Sequence, residues 1–475
     1  MSAAVRARLR AEGDLAILDH RPGPGSARPY RFPAFERNRL DNGLSLLTAD
    51  LPGRPLLAAN LVLEGGAADE PPEQAGITAL GARALTEGTE RRSAIELIEA
   101  AERLGAELHA EAGWETVVAS LDVPRRHFAP ALELLAEMSL RPSFPPTEVA
   151  RLRDERLNDL MQARAEPRRR VEWAFNETIY APSSPYARPQ GGVEETVGPL
   201  ERGAVAARHA ALLDPAAATL IVAGDLRDLP VAELAEATFE KWTSQGQRRE
   251  PYAPDASEHP AGARVVLVDR PGSAQSEIRV GHAGVPRRIP DFHAVVVMST
   301  ILGGLFNSRL QRLLREERGY TYGIGAGFDM RRSAGPFGVR TAVQTEVTVP
   351  ALRDILEQVG GMLTGPPSEA ELNEAREYLV GVFPLRFETP GQVAAALAGL
   401  VIHRLPDDEL DRYRPAVAAV TADEVAVAAR AHLRPQDASI VLVGDAARIE
   451  SELEVASFAP LAIVSEPLPS AGQTA

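Results

Sequence analysis

The sequence predicts an α+β protein built from two homologous halves, each of mostly antiparallel sheets covered by helices. Residues 214–225 and 434–445 both read as a buried strand with a proline before it and a Gly-Asp turn after it. A shorter Pro-Ala-Leu pair, at positions 130–132 and 350–352, repeats at the same spacing along the chain. Independent matches at one spacing indicate an internal duplication.

The first elements of each half follow one pattern. Residues 44–49 and 57–63 are apolar runs that predict a first hairpin around Pro52-Gly53, and residues 265–281 repeat the pattern. Long helical stretches follow these strands in both halves. Clustered strands with intervening helices predict an α+β layer structure.

Five segments are expected along the chain. A polar stretch rich in proline, glycine and charge has the composition of a linker between the halves. The two ends lack the apolar periodicity of packed elements. The predicted boundaries are an arm at 1–33, a first half at 34–243, a linker at 244–262, a second half at 263–460 and a tail at 461–475.

Composition excludes several classes of function. The chain has 475 residues, 45% hydrophobic and 25% charged, which is typical of a soluble globular protein. Its net charge of −15 argues against nucleic acid or an anionic membrane as the main partner. The absence of cysteine excludes disulfides, thiol catalysis and Cys-ligated metals. The sequence has neither a secretory signal nor a membrane span, so we expect a cytoplasmic protein.

One helical segment carries the frame of a metal site without its ligands. Residues 76–89 begin with Gly-Ile and end with Gly-Thr. This frame resembles the zinc helix of the M16 (pitrilysin/insulinase) metallopeptidases, Gly-Ile-Ala-His-Phe-Leu-Glu-His. The two His positions hold Ala79 and Arg83, and the position of the catalytic Glu holds Ala82. A zinc helix needs two imidazoles one turn apart and a carboxylate to activate water. The resemblance therefore implies the helix without the metal.

The resemblance also locates the third ligand of the family, a Glu on a later helix. Counted from Ala79 by the spacing of the family, this position holds Asp159. One carboxylate does not hold zinc against water, so we expect no cofactor in this chain. Asp159 is then either an exposed helix residue or an ion-pair partner of Arg83 in place of the metal, with Glu155 as the competing partner.

The second half keeps a motif that the first half has lost. In residues 302–322, Gly303 and Gly304 predict a turn that lets another chain approach the backbone, and Ser308 is expected to cap the following helix. A strand is expected from residue 320 to residue 328. The segment closely resembles the C-terminal M16 signature, and by this resemblance the two glycines would bind substrate.

By the same resemblance, an Arg and a Tyr seven residues apart reach the catalytic cleft. The spacing selects Arg315, to bind a peptide carbonyl, and Tyr322, to stabilise the oxyanion. Tyr320 would share a strand face with Tyr322, so the choice between the two tyrosines stays open.

A chain with this combination resembles the non-metal subunit of a heterodimeric M16 peptidase. The resemblance implies a clam-shell arrangement with an M16 partner that carries His-x-x-Glu-His and zinc. Arg315 and Tyr322 would act in trans on unfolded peptides, which add as a strand to a sheet edge. The alternative is a catalytically inert M16-like protein, either structural and chaperone-like or peptide-binding.

Overall fold

A computed structural model of the chain describes residue 25 and residues 28–243 and 262–466. Met1–Arg31 is one unit, and Phe32–Ala475 is the other and holds both halves. Phe32 is buried and packs edge-on against Phe387, so the predicted arm extends too far. The predicted linker, apart from Gly262, and residues 467–475 of the predicted tail lie outside the described residues. No described helix is long and apolar enough to span a membrane.

The first half contributes one six-stranded sheet. Its strands lie in the order β1-β2-β6-β3-β5-β4. They are β1 (Phe35–Arg39), β2 (Ser45–Asp50), β3 (Leu56–Glu64), β4 (Glu107–Ala112), β5 (Thr116–Pro124) and β6 (Ala218–Gly224). The helices of this half are α1 (Ile77–Ala84), α2 (Ala94–Leu104), α3 (Phe128–Leu140), α4 (Pro146–Ala165), α5 (Pro167–Ile179), α6 (Glu194–Val197), α7 (Arg202–Ala210) and α8 (Val231–Phe239).

The second half repeats this arrangement in the order β12-β7-β11-β8-β10-β9. Its strands are β7 (Val265–Asp269), β8 (Gln275–Ala283), β9 (Ile324–Phe328), β10 (Pro336–Gln344), β11 (Ser439–Gly444) and β12 (Leu461–Ser465). Its helices are α9 (Phe292–Ser299), α10 (Thr348–Gly361), α11 (Glu369–Val382), α12 (Pro390–Ile402), α13 (Glu409–Ala419), α14 (Ala422–His432) and α15 (Ala446–Ala456). The α+β class and the two homologous halves are confirmed.

Two details of the predicted sheets are wrong. Each half has a single sheet where more than one was predicted, and β2 does not form a hairpin with β3 because β6 lies between them. β6 is buried along its whole length, which suits a central strand with both faces covered. It runs parallel to β2 and antiparallel to β3. In the second half β11 separates β7 from β8 in the same way.

The predicted tail also begins too early. β12 extends the second sheet as an edge strand parallel to β7, with Leu461 opposite Val265. Arg170 anchors the end of this strand, since its guanidinium donates two hydrogen bonds to Glu466 at 2.7 Å and 3.0 Å. Edge strands commonly carry charged side chains, and residues 461–465 have none. The sequence therefore did not indicate that this segment pairs at the edge of a sheet.

Each half covers the sheet of the other half with one helix. α5 of the first half packs on β8 and β11 of the second, and α12 of the second half packs on β3 and β6 of the first. Phe175 of α5 is fully buried in a cluster that includes Val441 and Val443. The two halves therefore share their hydrophobic packing rather than meeting at a polar interface.

The tip of the β9–β10 connection adds a polar contact between the halves. The Arg331 guanidinium lies 4.5 Å from the ring centres of Trp114 and Tyr186. Arg332 forms an ion pair with Glu64 of β3. Cations stacked on aromatic faces and paired with a half-buried carboxylate hold this tip in place.

His403 lies beside this contact, and its lowered pKa predicts that the stability of the protein depends on pH. Burial and, to a lesser extent, the positive charges of Arg287 and Arg332 together lower the pKa of His403 to about 4, while Asp329 opposes them. The unfolded chain takes up a proton near the ordinary value of 6.5, which the folded chain takes up only near 4. The free energy of unfolding is therefore expected to fall as the pH drops from about 6.5 to about 4.

The measurement compares unfolding by denaturant at pH 7 and pH 4.5 for the unchanged chain and His403→Gln. The unchanged chain should lose about 2 kcal/mol more than the variant over this range. His109→Gln, at an exposed histidine, controls for the loss of an imidazole. Equal losses for the unchanged chain and His403→Gln would contradict the assignment.

Candidate functional site

The helix of the former metal site is present and is held by a buried carboxylate. Glu70 accepts hydrogen bonds from the amides of Gly76 at 2.8 Å and Thr78 at 2.7 Å, at the start of α1. Burial raises the pKa of Glu70, and these two hydrogen bonds oppose the rise. Gly76 has a φ of 95°, and a Cβ there would lie 2.5 Å from the carbonyl oxygen of Gly191. The glycine and the carboxylate cap order α1 through contacts that involve no metal.

The side chains at the positions of the M16 zinc site contact different neighbours and do not converge. Ala82 is buried, and Arg83 is exposed, with its Nη2 3.1 Å from Glu155 Oε2. Asp159 accepts two hydrogen bonds from Arg169, at 2.8 Å and 3.0 Å. The predicted pair of Arg83 with Asp159 is wrong, and the competing partner Glu155 is the one observed.

The charges around Asp159 explain why Arg83 pairs with Glu155 and not with Asp159. Arg169, at the start of α5, binds Asp159 as a fork, and Arg156 binds it from one turn earlier on α4. The hydrogen bond from Arg169 is the main cause of the lowered pKa of Asp159. With two guanidiniums on one carboxylate, Arg83 pairs elsewhere. Among residues 28–243 and 262–466, no group of three His, Cys, Asp or Glu side chains is placed to hold a metal ion.

Arg315 and Tyr322, the two residues that the motif selects, lie close together. The Arg315 guanidinium carbon lies 5.4 Å from the ring centre of Tyr322 and 4.5 Å from that of Phe306. No carboxylate of the described part of the chain pairs with Arg315, whereas many other arginines there have such a partner. Tyr322 is 92% exposed. The two rings contact the cation, and its N–H donors make no hydrogen bond within the described part of the chain.

The local backbone differs from the prediction at the tyrosines. β9 begins at Ile324, so Tyr320 and Tyr322 precede the strand and share no strand face. The Thr321 hydroxyl donates to the carbonyl of Gly323 at 2.9 Å and accepts from its amide at 3.1 Å. Such local bonds replace the strand ladder. Tyr322, rather than Tyr320, is the tyrosine that contacts Arg315.

The glycine pair also differs from the prediction. Gly303 and Gly304 end the π-helical segment Thr300–Gly304 instead of forming a free turn. A Cβ on Gly303 would lie 2.4 Å from the amide nitrogen of Ala326, so the backbone that Gly303 admits is the chain's own β9. Gly304 remains exposed. The Ser308 hydroxyl is buried and has no hydrogen-bond partner among the described residues, so the predicted cap is wrong.

Sequence reasoning missed Phe306. This side chain is 59% exposed, yet it forms the closer of the two rings that hold Arg315. The only signal in the sequence was an aromatic residue directly after a Gly-Gly-Leu run and before Asn307. Arg315 itself lies in a second π-helical segment, Gln311–Glu317, and such irregular turns are frequent at functional sites.

Two family models match the chain over most of its length. One, described as Insulinase (Peptidase family M16), matches residues 46–188, and the other, described as Peptidase M16 inactive domain, matches residues 199–379. The chain belongs to the M16 family. The insulinase match lies within the first half, and the inactive-domain match begins near the end of the first half and continues into the second.

Similar M16 proteins carry contrasting names. An uncharacterized zinc protease of Streptomyces coelicolor is 24% identical over 397 residues, 83% of this chain and 86% of the relative. A protein of Helicobacter pylori named non-peptidase homolog YmxG is 22% identical over 345 residues, 70% of this chain and 76% of the relative. Names of both kinds therefore occur among M16 proteins similar to this one.

Solved structures share the fold. A peptidase M16 inactive domain from Pseudomonas fluorescens gives a TM-score of 0.77 at 24% identity, covering 86% of this chain and 98% of that one. A protease from Helicobacter pylori gives 0.81 at 18% identity, covering 87% and 100%. The matches extend over both halves of this chain.

Proposed function

We propose that this M16 chain is the non-metal-binding subunit of a heterodimeric zinc peptidase that degrades or processes peptides in a closed chamber. The observation that carries the proposal is the contact of the Arg315 guanidinium with the rings of both Phe306 and Tyr322. An unpaired guanidinium and an exposed phenol at one place are suited to a ligand outside the chain.

The two side chains have complementary roles in peptide hydrolysis. Arg315 donates to a carbonyl oxygen of the bound peptide and fixes its position. The Tyr322 hydroxyl donates to the oxygen that becomes negative when water attacks the scissile carbonyl. In the assembled peptidase both donors would be in place before charge develops, which is the condition under which such donors accelerate a reaction most.

The metal and the base come from the partner in this proposal. Ala79, Ala82 and Arg83 supply neither imidazole nor carboxylate at the positions that an M16 zinc helix uses. An M16 subunit with an intact His-x-x-Glu-His motif would bind zinc and activate the attacking water. The substrate would be an unfolded peptide that adds as a strand to a sheet edge.

The test mixes this chain with an M16 protein of the same genome that carries His-x-x-Glu-His, ideally from a neighbouring gene. Cleavage of a quenched fluorescent peptide is followed for each protein alone and for the mixture, and the zinc content of each is measured. We expect activity in the mixture only and zinc in the partner only. Full activity of the partner alone, unchanged by this chain, would refute the proposal.

A second candidate is a catalytically inert M16-like protein with a structural or peptide-binding role. The name of the Helicobacter pylori relative, non-peptidase homolog, favours it. The presence of Arg315 together with Tyr322 argues against it, since a scaffold does not need this pair. If the mixture forms a stable complex and its cleavage rate is the same with Arg315→Ala and Tyr322→Phe, the inert role is the better description.

A further inference from the structure

Helix α11 holds the turn that carries Phe306. The Ser308 amide closes this turn with a hydrogen bond of 3.1 Å to the Leu305 carbonyl. Asn307, next to Phe306, donates from Nδ2 to Glu374 Oε1 of α11 at 2.7 Å. Because the Phe306 ring is 59% exposed, its position depends on this turn more than on side chains packed around it.

A second contact between this turn and α11 is an ion pair. Arg309, the residue after the turn, donates two hydrogen bonds to the Glu371 carboxylate, from Nε at 2.7 Å and from Nη2 at 3.1 Å. The two side chains are only 18% and 24% exposed. A fork of two hydrogen bonds fixes the orientation of a guanidinium as well as its distance. The backbone that follows Phe306 is therefore tied to α11 at two places.

α11 is a firm support for these contacts. Glu371 also closes the N-terminal cap of the helix, because its Oε2 accepts hydrogen bonds from the Ser368 amide at 2.9 Å and the Ser368 hydroxyl at 2.8 Å. Leu372 and Ala375 are buried on another face of the same helix. With its helix packed and its cap closed, the Glu371 carboxylate offers Arg309 a fixed partner.

The Arg315 side chain, by contrast, is held within the described part of the chain through aromatic rings and not through hydrogen bonds. Its guanidinium carbon lies 4.5 Å from the centre of the Phe306 ring and 5.4 Å from that of Tyr322. Tyr322 is 92% exposed, so little of the protein packs around its ring. Phe306, on its anchored turn, is therefore the ring that fixes where the Arg315 cation lies.

We propose that Phe306 is a positioning residue for Arg315 in the proposed peptidase, and that Glu371 of α11 keeps Phe306 in place through Arg309. The contacts run from the capped helix to the turn, and from the aromatic ring to the cation. A cation that is held in advance loses less side-chain freedom when it binds a peptide carbonyl, so it binds more tightly. This inference names what prepares the site of the proposed function, and it rests on that function.

The first measurement follows Arg315 in the full-length chain without partner or substrate. NMR of the chain with 15N-labelled arginine detects the Nε–H group of Arg315, assigned as the signal that Arg315→Lys removes. We expect its order parameter to fall below about 0.6, the range of flexible groups, in Phe306→Leu. Phe35→Leu, the same change at a half-buried ring of β1, is the matched control and should leave the signal unchanged.

The support from α11 is tested by Glu371→Gln. Glutamine can accept the same cap hydrogen bonds from Ser368, but it lacks the charge that pairs with Arg309. The order parameter of Arg315 should fall in this variant, although less than in Phe306→Leu. Glu369→Gln, at an exposed carboxylate in the same turn of α11, is the matched control. The melting temperature of each variant shows that it folds.

The second measurement is kcat/KM of the assembled peptidase for a quenched peptide. Phe306→Leu should lower it about 2- to 5-fold, the range expected for loss of one exposed contact between a cation and a ring. Phe306→Trp should retain it, because the indole ring suits such a contact best. Once Arg315 is replaced by alanine, Phe306→Leu should cost nothing further, since no cation is left to position.

An unchanged order parameter of Arg315 in Phe306→Leu overturns the inference, and so do equal order parameters in Glu371→Gln and Glu369→Gln. A loss of kcat/KM that is the same with and without Arg315 would mean that Phe306 contacts the peptide itself, which also overturns the positioning role. Failure of the proposed function gives a different result. If the mixture cleaves no peptide, the NMR measurement still decides whether Phe306 and Glu371 fix Arg315.

Discussion

Replacing Tyr322 with phenylalanine is expected to lower kcat for peptide cleavage by the assembled peptidase about 100- to 1,000-fold, since removal of one oxyanion donor typically costs this much. Because Tyr322 is 92% exposed, its hydroxyl contributes little to folding, and the melting temperature should stay unchanged. The measurement is steady-state cleavage of a quenched peptide by the mixed subunits, with KM determined separately.

Tyr378→Phe provides the matched control. Tyr378 is another exposed tyrosine of the second half, 46% exposed on α11, and has no assigned role in catalysis. It should leave kcat within a factor of about 2. A Tyr322→Phe enzyme with full kcat would remove Tyr322 from the chemistry, and one with a raised KM alone would reassign it to substrate binding.

Phe175→Ala is expected to cost about 3–5 kcal/mol of unfolding free energy. The ring is fully buried where α5 of the first half covers β8 and β11 of the second. Its removal leaves a cavity that the neighbouring strands cannot close without moving both halves. Unfolding by denaturant, monitored by circular dichroism, measures the loss.

Phe306→Ala is the control for this prediction. It removes the same atoms from a side chain that is 59% exposed, so the free energy of unfolding should change by less than about 1 kcal/mol. If the two variants were equally stable, the packing of α5 on the second sheet would not be what holds the halves together.

The duplication and the α+β class could be read from the sequence because both depend on local patterns. The duplication is indicated by two buried strands that repeat at the same spacing as the Pro-Ala-Leu pair. The α+β class is indicated by alternating strand and helix signals. The hairpin of β2 with β3 could not be read correctly. The strand that separates them, β6, follows seven helices later in the chain, and pairing of this kind is set by tertiary packing.

Only part of the candidate site could be predicted, because only part of it depends on local spacing in the sequence. The spacing selected Arg315 and Tyr322, which do contact each other, but the contact involves a bend and a π-helical turn rather than a strand face. Asp159 was paired incorrectly because its partner Arg169 lies on the next helix, across a change of direction at Pro167. Local spacing gives the residue types at a site, and the turns between elements decide which of them meet.

The reciprocal placement of α5 and α12 has an evolutionary consequence. A hypothetical ancestor that carried only one half would leave its sheet without the covering helix, so two copies would have had to exchange helices to fold. Fusion of two such copies into one chain preserves this packing while making the copies genetically independent. Each copy could then lose residues that the other kept. In this chain Ala79, Ala82 and Arg83 stand where an M16 zinc helix has its histidines and glutamate, while Glu70 and Gly76 still order the start of α1.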